Sequence, residues 1–439
     1  MLERTFHLSK NGTDVRTELL AGITTFVTLA YILFVNPNIL KDAGMPPEAT
    51  FAATCLASAF GTLVMGLYAN YPIAVAPGMG LNAFFTYTIV IGMKLPWQTA
   101  LGAVFISGAI FFVLTVTKVR EWIVEGVPQV LRLAIGVGIG LFIAFIGLRN
   151  AGVIVKSDAT LLTLGDMKSA GVVVSIGGLI LTSFFVGRRV KGALLIGILA
   201  TTILAMAAGV SAAPTGIGSF MTLSNPLEKL KLTAFHLDVP AALNVGLISI
   251  LFSLTFVDLF DNIGTLLGVA RKAGLLNEEG QLPRIGKALF ADSLGTIFGA
   301  LMGTSTVTSY IESAAGVAEG GRTGLTAAVV GLLFILAIVF APMVGLIPAQ
   351  ATAPALILIG SFMMVDLVHI RFDDFTEALP AFLTIIMMPL TYSIAQGLAF
   401  GFMSYTVVKL ISGRHRENNP VTYTLTGLFI LHFILGRST

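Results

Sequence analysis

The sequence predicts an all-α polytopic membrane protein with fourteen transmembrane segments in two inverted seven-span repeats, the third and tenth segments broken by short extended pieces. Three observations point there. Apolar residues fill 56% of the 439 positions and charged residues 11%, against roughly 25% charged in an ordinary soluble domain. Apolar windows of about 17 to 25 residues, the length that crosses a bilayer, fall into two sets of seven. Finally, residues 57–82 lie over residues 291–316 without a gap, so that Ala57 meets Ala291, Gly61-Thr62 meets Gly295-Thr296 and Leu67 meets Leu301.

The first set of windows begins at Leu19, Thr50, Pro72, Trp97, Val127, Gly171 and Gly192. The second begins near Leu243, Ile285, Ser305, Gly324, Thr352, Thr376 and Thr391. Residues 211–240 carry prolines and charges without a clear span, and they divide the chain into halves 1–225 and 226–439. A second echo supports the repeat: Val127-Pro128-Gln129 and Ile347-Pro348-Ala349-Gln350 each open a span, after which Gly140 and Phe142 align with Gly360 and Phe362. An odd number of crossings per half turns the second copy upside down, as in many secondary transporters.

The first 17 residues are polar and lack the apolar core of a signal peptide, so the first span itself should direct insertion. With a cytoplasmic N-terminus, eighteen Lys and Arg, among them Lys118, Arg120 and Arg132, fall on inside segments and seven outside. That is the positive-inside pattern, and it indicates a multi-pass protein of the cell (plasma or inner) membrane. Residues 421–436 are short for a span and are compatible with an interfacial helix or a fifteenth crossing. The lone Cys55 excludes a disulfide or a cysteine metal site within one chain. The histidines do not recur at ligand spacing, and no metal or other cofactor is expected.

In the third segment residues 72–77 are extended and lead to Gly78-Met79-Gly80; in the tenth, residues 306–311 are rich in β-branched and hydroxyl side chains and lead to Glu312-Ser313. Paired interruptions at matching places in two halves mark a transporter's binding site, because non-helical backbone at membrane depth survives only where it lines a cavity or is buried in protein. Glu312 stands where an extended piece becomes a half-helix, a place that favours negative charge; the plain alternative is a helix cap. Its symmetry mate is Gly78, followed by Gly80, Asn82 and Ala83.

In the eighth span Asp258, Asp261 and Asn262 share one helical face. Two carboxylates so placed repel each other, which favours keeping a proton on one of them, as proton coupling requires. A structural alternative is that one caps a neighbouring helix or pairs with a base such as Lys287. Asp292 stands before the packing row Gly295, Gly299 and Gly303 and reads as structural. Glu18, Glu319, Asp366 and Glu377 fall at span ends, where a wet position is expected. Phe84, Phe85, Phe256, Phe260 and Tyr310 flank the proposed cavity. With no Lys or Arg in either broken segment an anion would be repelled, whereas a flat, neutral molecule rich in N–H donors fits, and nucleobases have that chemistry. Enzyme chemistry lacks a nucleophile and base at workable spacing.

At four runs the chain resembles the nucleobase:cation symporter family (nucleobase/ascorbate transporters), in its AzgA-like hypoxanthine, guanine and adenine permease branch. These are Gly12-Thr13 through Thr17-Glu18 to Ala21-Gly22-Ile23-Thr24-Thr25-Phe26; Ala76-Pro77-Gly78-Met79-Gly80-Leu81-Asn82-Ala83-Phe84-Phe85; the run from Phe256 through Asp258 and Asp261-Asn262 to Gly264; and Gly303-Thr304-Ser305-Thr306 through Glu312-Ser313 to Gly320-Gly321-Arg322-Thr323-Gly324. The resemblance implies a core domain (about 18–118 and 243–345) and a gate domain (about 127–210 and 352–411). It implies proton-driven uptake of a purine base held by Glu312, Asp261, Asn82, Gly80, Ala83, Tyr310, Ile311, Ser313 and Phe260, with Asp258, Asp261 and Glu312 serving the proton. Partners are then the purine and the lipid bilayer, with no nucleic acid; a homodimer stays open. The chain departs from uracil permeases where their histidine follows the eighth-span acid by four residues: here that residue is Thr265. An anion transporter or exchanger on the same architecture is the rival reading.

Overall fold

The computed structural model describes residues 2–117, 126–222, 225, 227–243, 248–277 and 282–435; Lys118, Arg120 and the Phe260 side chain lie outside the described residues. It is mostly helical. The first half holds α1 (Val15–Leu29), α2 (Ile32–Asp42), α3 (Pro47–Val64), β1 (Val75–Pro77), α4 (Met79–Ala83), α5 (Trp97–Val116), α6 (Gln129–Asn150), the hairpin β2 (Ile154–Ser157) and β3 (Leu161–Leu164), α7 (Ala170–Gly187) and α8 (Ala193–Ala207). The second holds α9 (Ile248–Ala273), α10 (Ile285–Met302), β4 (Val307–Ser309), α11 (Ser313–Ala318), α12 (Gly324–Ala337), α13 (Ala349–Met363), α14 (Phe375–Thr391), α15 (Ile394–Ile411) and α16 (Pro420–Leu435).

Among the described residues ten helical stretches are long and apolar enough to cross a bilayer, α1 and α2 together forming one of them, Val15–Asp42. The other four expected segments fall on shorter helices: the two broken ones at α4, prolonged to Gly92, and α11, and the seventh and thirteenth at α8 and α14. The hairpin β2–β3 was not expected from an all-α reading. It is short, largely exposed and turns through Asp158-Ala159-Thr160, so it adds no layer to the fold.

The helices pack in two groups. In one, α10 lies against α3 and α5, while α12 lies against α1 and α3; in the other, α6 lies against α13, α14 and α15, and the α7–α8 pair packs on α13. Each group crosses at paired glycines. An added Cβ on Gly61 would stand 3.4 Å from the Gly295 Cα, and one on Gly140 would stand 2.8 Å from the Gly360 carbonyl oxygen. Both pairs are residues that the two sequence overlays make equivalent. Bare backbone there lets the helices approach closely, as small residues do at helix contacts in membranes.

Between α3 and α10 the two extended pieces meet. β1 pairs antiparallel with β4 in the register Val75↔Ser309, Ala76↔Thr308 and Pro77↔Val307, and all six residues are buried. Each strand is also clamped to the helix before it by a matched threonine. Thr62 Oγ1 donates to the Val75 carbonyl and accepts from the Val75 N–H, both at 2.9 Å; Thr296 does the same for Val307, at 2.9 and 3.2 Å. The gap-free overlay therefore needs a correction. It matches the helices, and it matches Gly78 with Glu312, which precede α4 and α11, but in the strands it slips by two residues. The wider turn Met65–Ala69 prolongs α3 in the first copy, and Tyr310-Ile311 follow β4 in the second.

Glu18 also departs from expectation. Rather than being wet, it is fully buried, because its carboxylate takes the N–H groups of Arg322 (2.8 Å), Thr323 (3.1 Å) and Thr326 (3.1 Å) and the Thr326 hydroxyl (2.6 Å). These are the donors at the start of α12 that have no partner within the helix, so Glu18 caps α12 from α1. Glu18→Ala is expected to lower stability by about 2 kcal/mol, the scale of stranded buried donors to a charged group. The measurement is the thermal midpoint in detergent; an unchanged midpoint would refute the cap.

Candidate substrate-binding site

A cavity of about 490 Å³ lies where the two helical groups face each other across the strand crossing. Volumes of this order suit small molecules. Its floor is made by the two broken segments: Gly78, Met79, Gly80 and Leu81 at the start of α4, and Thr308 to Glu312 at and after the end of β4. Glycine is required at two of these places. A Cβ on Gly78 would come 2.9 Å from Thr308 Oγ1, and one on Gly80 would come 2.6 Å from Ile139 Cγ2. The opening N–H groups of α4 have no partner within their helix, and the residues that carry them line the cavity.

One face of α9, stepping through Val257, Asp261, Gly264, Thr265 and Gly268, forms a wall. The opposite wall comes from Arg132, Ile135, Ile139 and Ile143 of α6 and from Ile359, Phe362 and Met363 of α13, with Asp366 beyond.

Glu312 lines this space without capping its own helix. Its Oε1 instead accepts the hydroxyl of Tyr31 at 2.5 Å. Tyr31 is fully buried at the turn that joins α1 and α2, so the first span delivers a donor to the acid of the tenth. Tyr310 lines the cavity as well, and its hydroxyl donates to the Pro77 carbonyl at 2.5 Å. The ring is thereby left to the cavity, while the hydroxyl bridges the two broken segments.

The three polar residues of the eighth span divide their work. Asp261 lines the cavity, whereas Asp258 and Asn262 are fully buried behind it. Asn262 Nδ2 donates to Asp258 Oδ1 at 2.8 Å, and Asn262 Oδ1 accepts the Ser309 N–H at 2.8 Å. The Ser309 hydroxyl donates to both oxygens of Asp292 at 3.0 Å. Asp258 and Asp292 thus anchor β4 through Asn262 and Ser309. Lys287 is placed elsewhere, with Nζ 4.9 Å from the Tyr68 ring centre.

Of the predicted site residues, the cavity gathers Gly80, Asp261, Tyr310, Ile311 and Glu312. Asn82, Ala83 and Ser313 are buried next to it and are not in its lining. Asn82 Oδ1 accepts the Ser305 hydroxyl, and Ser313 Oγ accepts the Ala74 N–H at 2.9 Å, so both tie one broken segment to the other. Phe84 and Phe85 are packed in the apolar interior. Sequence reasoning missed Tyr31, which sits in an uninterrupted apolar run. It also missed Arg132 and Asp366, which it left at span ends. Among the described lining residues Arg132 is the one cation, in a lining that also holds the carboxylates of Asp261, Glu312 and Asp366.

A family model described as Permease family matches residues 16–400. The adenine permease AdeP of Escherichia coli (strain K12) is 46% identical over 441 residues, covering 99% of this chain and 96% of that protein. The guanine/hypoxanthine permease PbuG of Bacillus subtilis (strain 168) is 46% identical over 439 residues, covering 98% of each. Among solved structures, the transmembrane domain of a cyanobacterium bicarbonate transporter, BicA, matches with a TM-score of 0.65 at 13% identity, covering 87% of this chain and 97% of that one; at that identity the likeness concerns the fold. The family model spans most of the chain and the relatives align nearly end to end, so this multi-pass membrane protein belongs to the permease family, beside adenine and guanine/hypoxanthine permeases.

Proposed function

We propose that the chain is a secondary active importer of purine bases in the plasma membrane, driven by the proton gradient. The observation that carries this is the cavity itself: two strand-to-helix breaks meet at one small space holding Asp261 and Glu312, in a chain whose near-full-length relatives carry adenine, guanine and hypoxanthine in their names. A purine offers N–H donors to carboxylates and ring nitrogens to the N–H groups of α4, and the Tyr310 ring gives it a face to lie against. With Oε1 held by Tyr31, Glu312 presents its second oxygen to the ligand.

In this reading fourteen segments form two inverted seven-span repeats with the N-terminus in the cytoplasm. The group around the strand crossing is the core, and the group around α6 and α13 is the gate. Movement of core against gate exposes the cavity to alternate faces. Asp261 and Glu312 bind base and proton together, with Asp258 supporting the proton route that lacks a histidine at Thr265. An anion exchanger would want a net positive cavity, and Arg132 alone stands against three lining carboxylates.

Glu312→Gln or Asp261→Asn is expected to abolish accumulation of labelled purine with membrane abundance intact; normal uptake in both would refute the site. Tyr31→Phe should raise the KM for uptake about tenfold, the scale of one hydrogen bond to a charged group, with abundance unchanged. Proton coupling is checked separately. A protonophore at constant external sodium should collapse uptake, and persistence of uptake would exclude it.

A further inference from the structure

The helix α6 carries a second charged group far from the cavity. Arg132, in its first turn, lines the cavity, and Arg149 lies seventeen residues on at its other end, about 25 Å along the axis at 1.5 Å per residue. There the Arg149 guanidinium carbon stands 5.6 Å from the ring centre of Tyr87 and 5.8 Å from that of Tyr392. The rings lie 6.4 Å apart at 68°. Tyr87 belongs to the prolonged α4, in the group around the strand crossing; Arg149 and Tyr392 belong to the other group.

Two hydrogen bonds fasten the same junction. The Tyr87 hydroxyl donates to Asp42 Oδ2 at 2.8 Å, holding that ring to its own group, and Thr88 Oγ1 donates to the Tyr392 carbonyl at 2.7 Å, across the groups. Tyr392 itself has a φ of 53°. It is the left-handed C-cap of α14, its N–H bonding back to the Met388 and Pro389 carbonyls, so the end of that helix fixes where the ring stands against Arg149 and Tyr87.

We infer that Arg149, clasped between Tyr87 and Tyr392, is a latch that keeps the two helical groups shut at the end opposite Arg132. The cavity then communicates with the Arg132 end, and loading from the other face requires the guanidinium to leave Tyr87. The inference rests on the proposed movement of the two groups, and its measurement involves no purine.

The test uses Cys55→Ser to remove the lone cysteine and Ile139→Cys as a buried reporter on the cavity wall. A membrane-impermeant maleimide is applied from the Arg149 face of oriented vesicles. Arg149→Gln should raise the labelling rate on the order of tenfold, the scale of two cation–π contacts at a partly exposed site. Arg149→Lys, which keeps a cation over the rings, should stay near the parent rate. Thr88→Val, which removes only the crossing hydrogen bond, should raise the rate severalfold and serves as the second probe should Arg149→Gln not fold. Parent-like labelling in the folded variants, or Lys labelling as fast as Gln, would overturn the latch. Failure of purine transport alone would leave the labelling result standing.

Discussion

Hydrogen-bonding backbone inside a hydrocarbon layer has no water to turn to, and the molecule is organised around that constraint. Two extended pieces leave their helices at membrane depth, and each finds its partners in the other, in one threonine and in further buried side chains, Ser313 for the Ala74 N–H and Asn262 for the Ser309 N–H. Were the first broken segment absent, the Thr306 carbonyl and the Tyr310 N–H, which bond to Gly78 and Ala74, would be stranded at a cost of several kcal/mol each. The pairing lets the chain interrupt two spans at once, and the interruption is what creates a place for polar chemistry. The glycine contacts at Gly61 and Gly295 belong to the same constraint, because they bring α3 and α10 close enough for their strands to meet.

The side chains around the crossing sort by depth. Behind it, Asp258, Asn262, Ser309 and Asp292 form a continuous set of buried hydrogen bonds that fixes β4. In front, Asp261 and Glu312 stand in the cavity, and Tyr31 determines which oxygen of Glu312 is engaged. The links through Asn262 and Ser309 fix the position of β4 relative to α9 and α10, and so hold Asp261 and Glu312 in a set relation to each other. Glu18 plays the corresponding part at the edge, where it holds α12 to α1 and so closes the same helical group.

Much of the fold was legible because hydropathy and glycine spacing report directly on membrane burial. The breaks at residues 72–77 and 306–311 announced themselves through prolines, hydroxyls and β-branched residues, and the alignment of Gly140 with Gly360 announced the repeat, though not that the two glycines meet. What was hidden depends on three-dimensional placement. The two-residue slip in the strands arises from a wider helical turn that leaves no mark in composition. Tyr31 lies in an apolar run and becomes meaningful only because the fold brings its hydroxyl to Glu312, 281 positions away. Asp258 and Asp261 looked alike on one helical face, yet the roughly 60° between the directions of positions three apart puts the first behind the strand and the second in the cavity.

The hydrogen bond from the Tyr310 hydroxyl to the Pro77 carbonyl joins residues 233 positions apart. During synthesis the first broken span therefore leaves the ribosome with no mate to satisfy it. At about 5 to 20 residues per second, roughly ten to fifty seconds pass before the complementary piece is made. In that interval the nascent first half must shelter its open peptide groups by other means, such as water, the insertion machinery or a temporary helix. Assembly of this protein is thus a joint event of its two halves, and a separately expressed N-terminal half would reach the bilayer with its central segment unfinished.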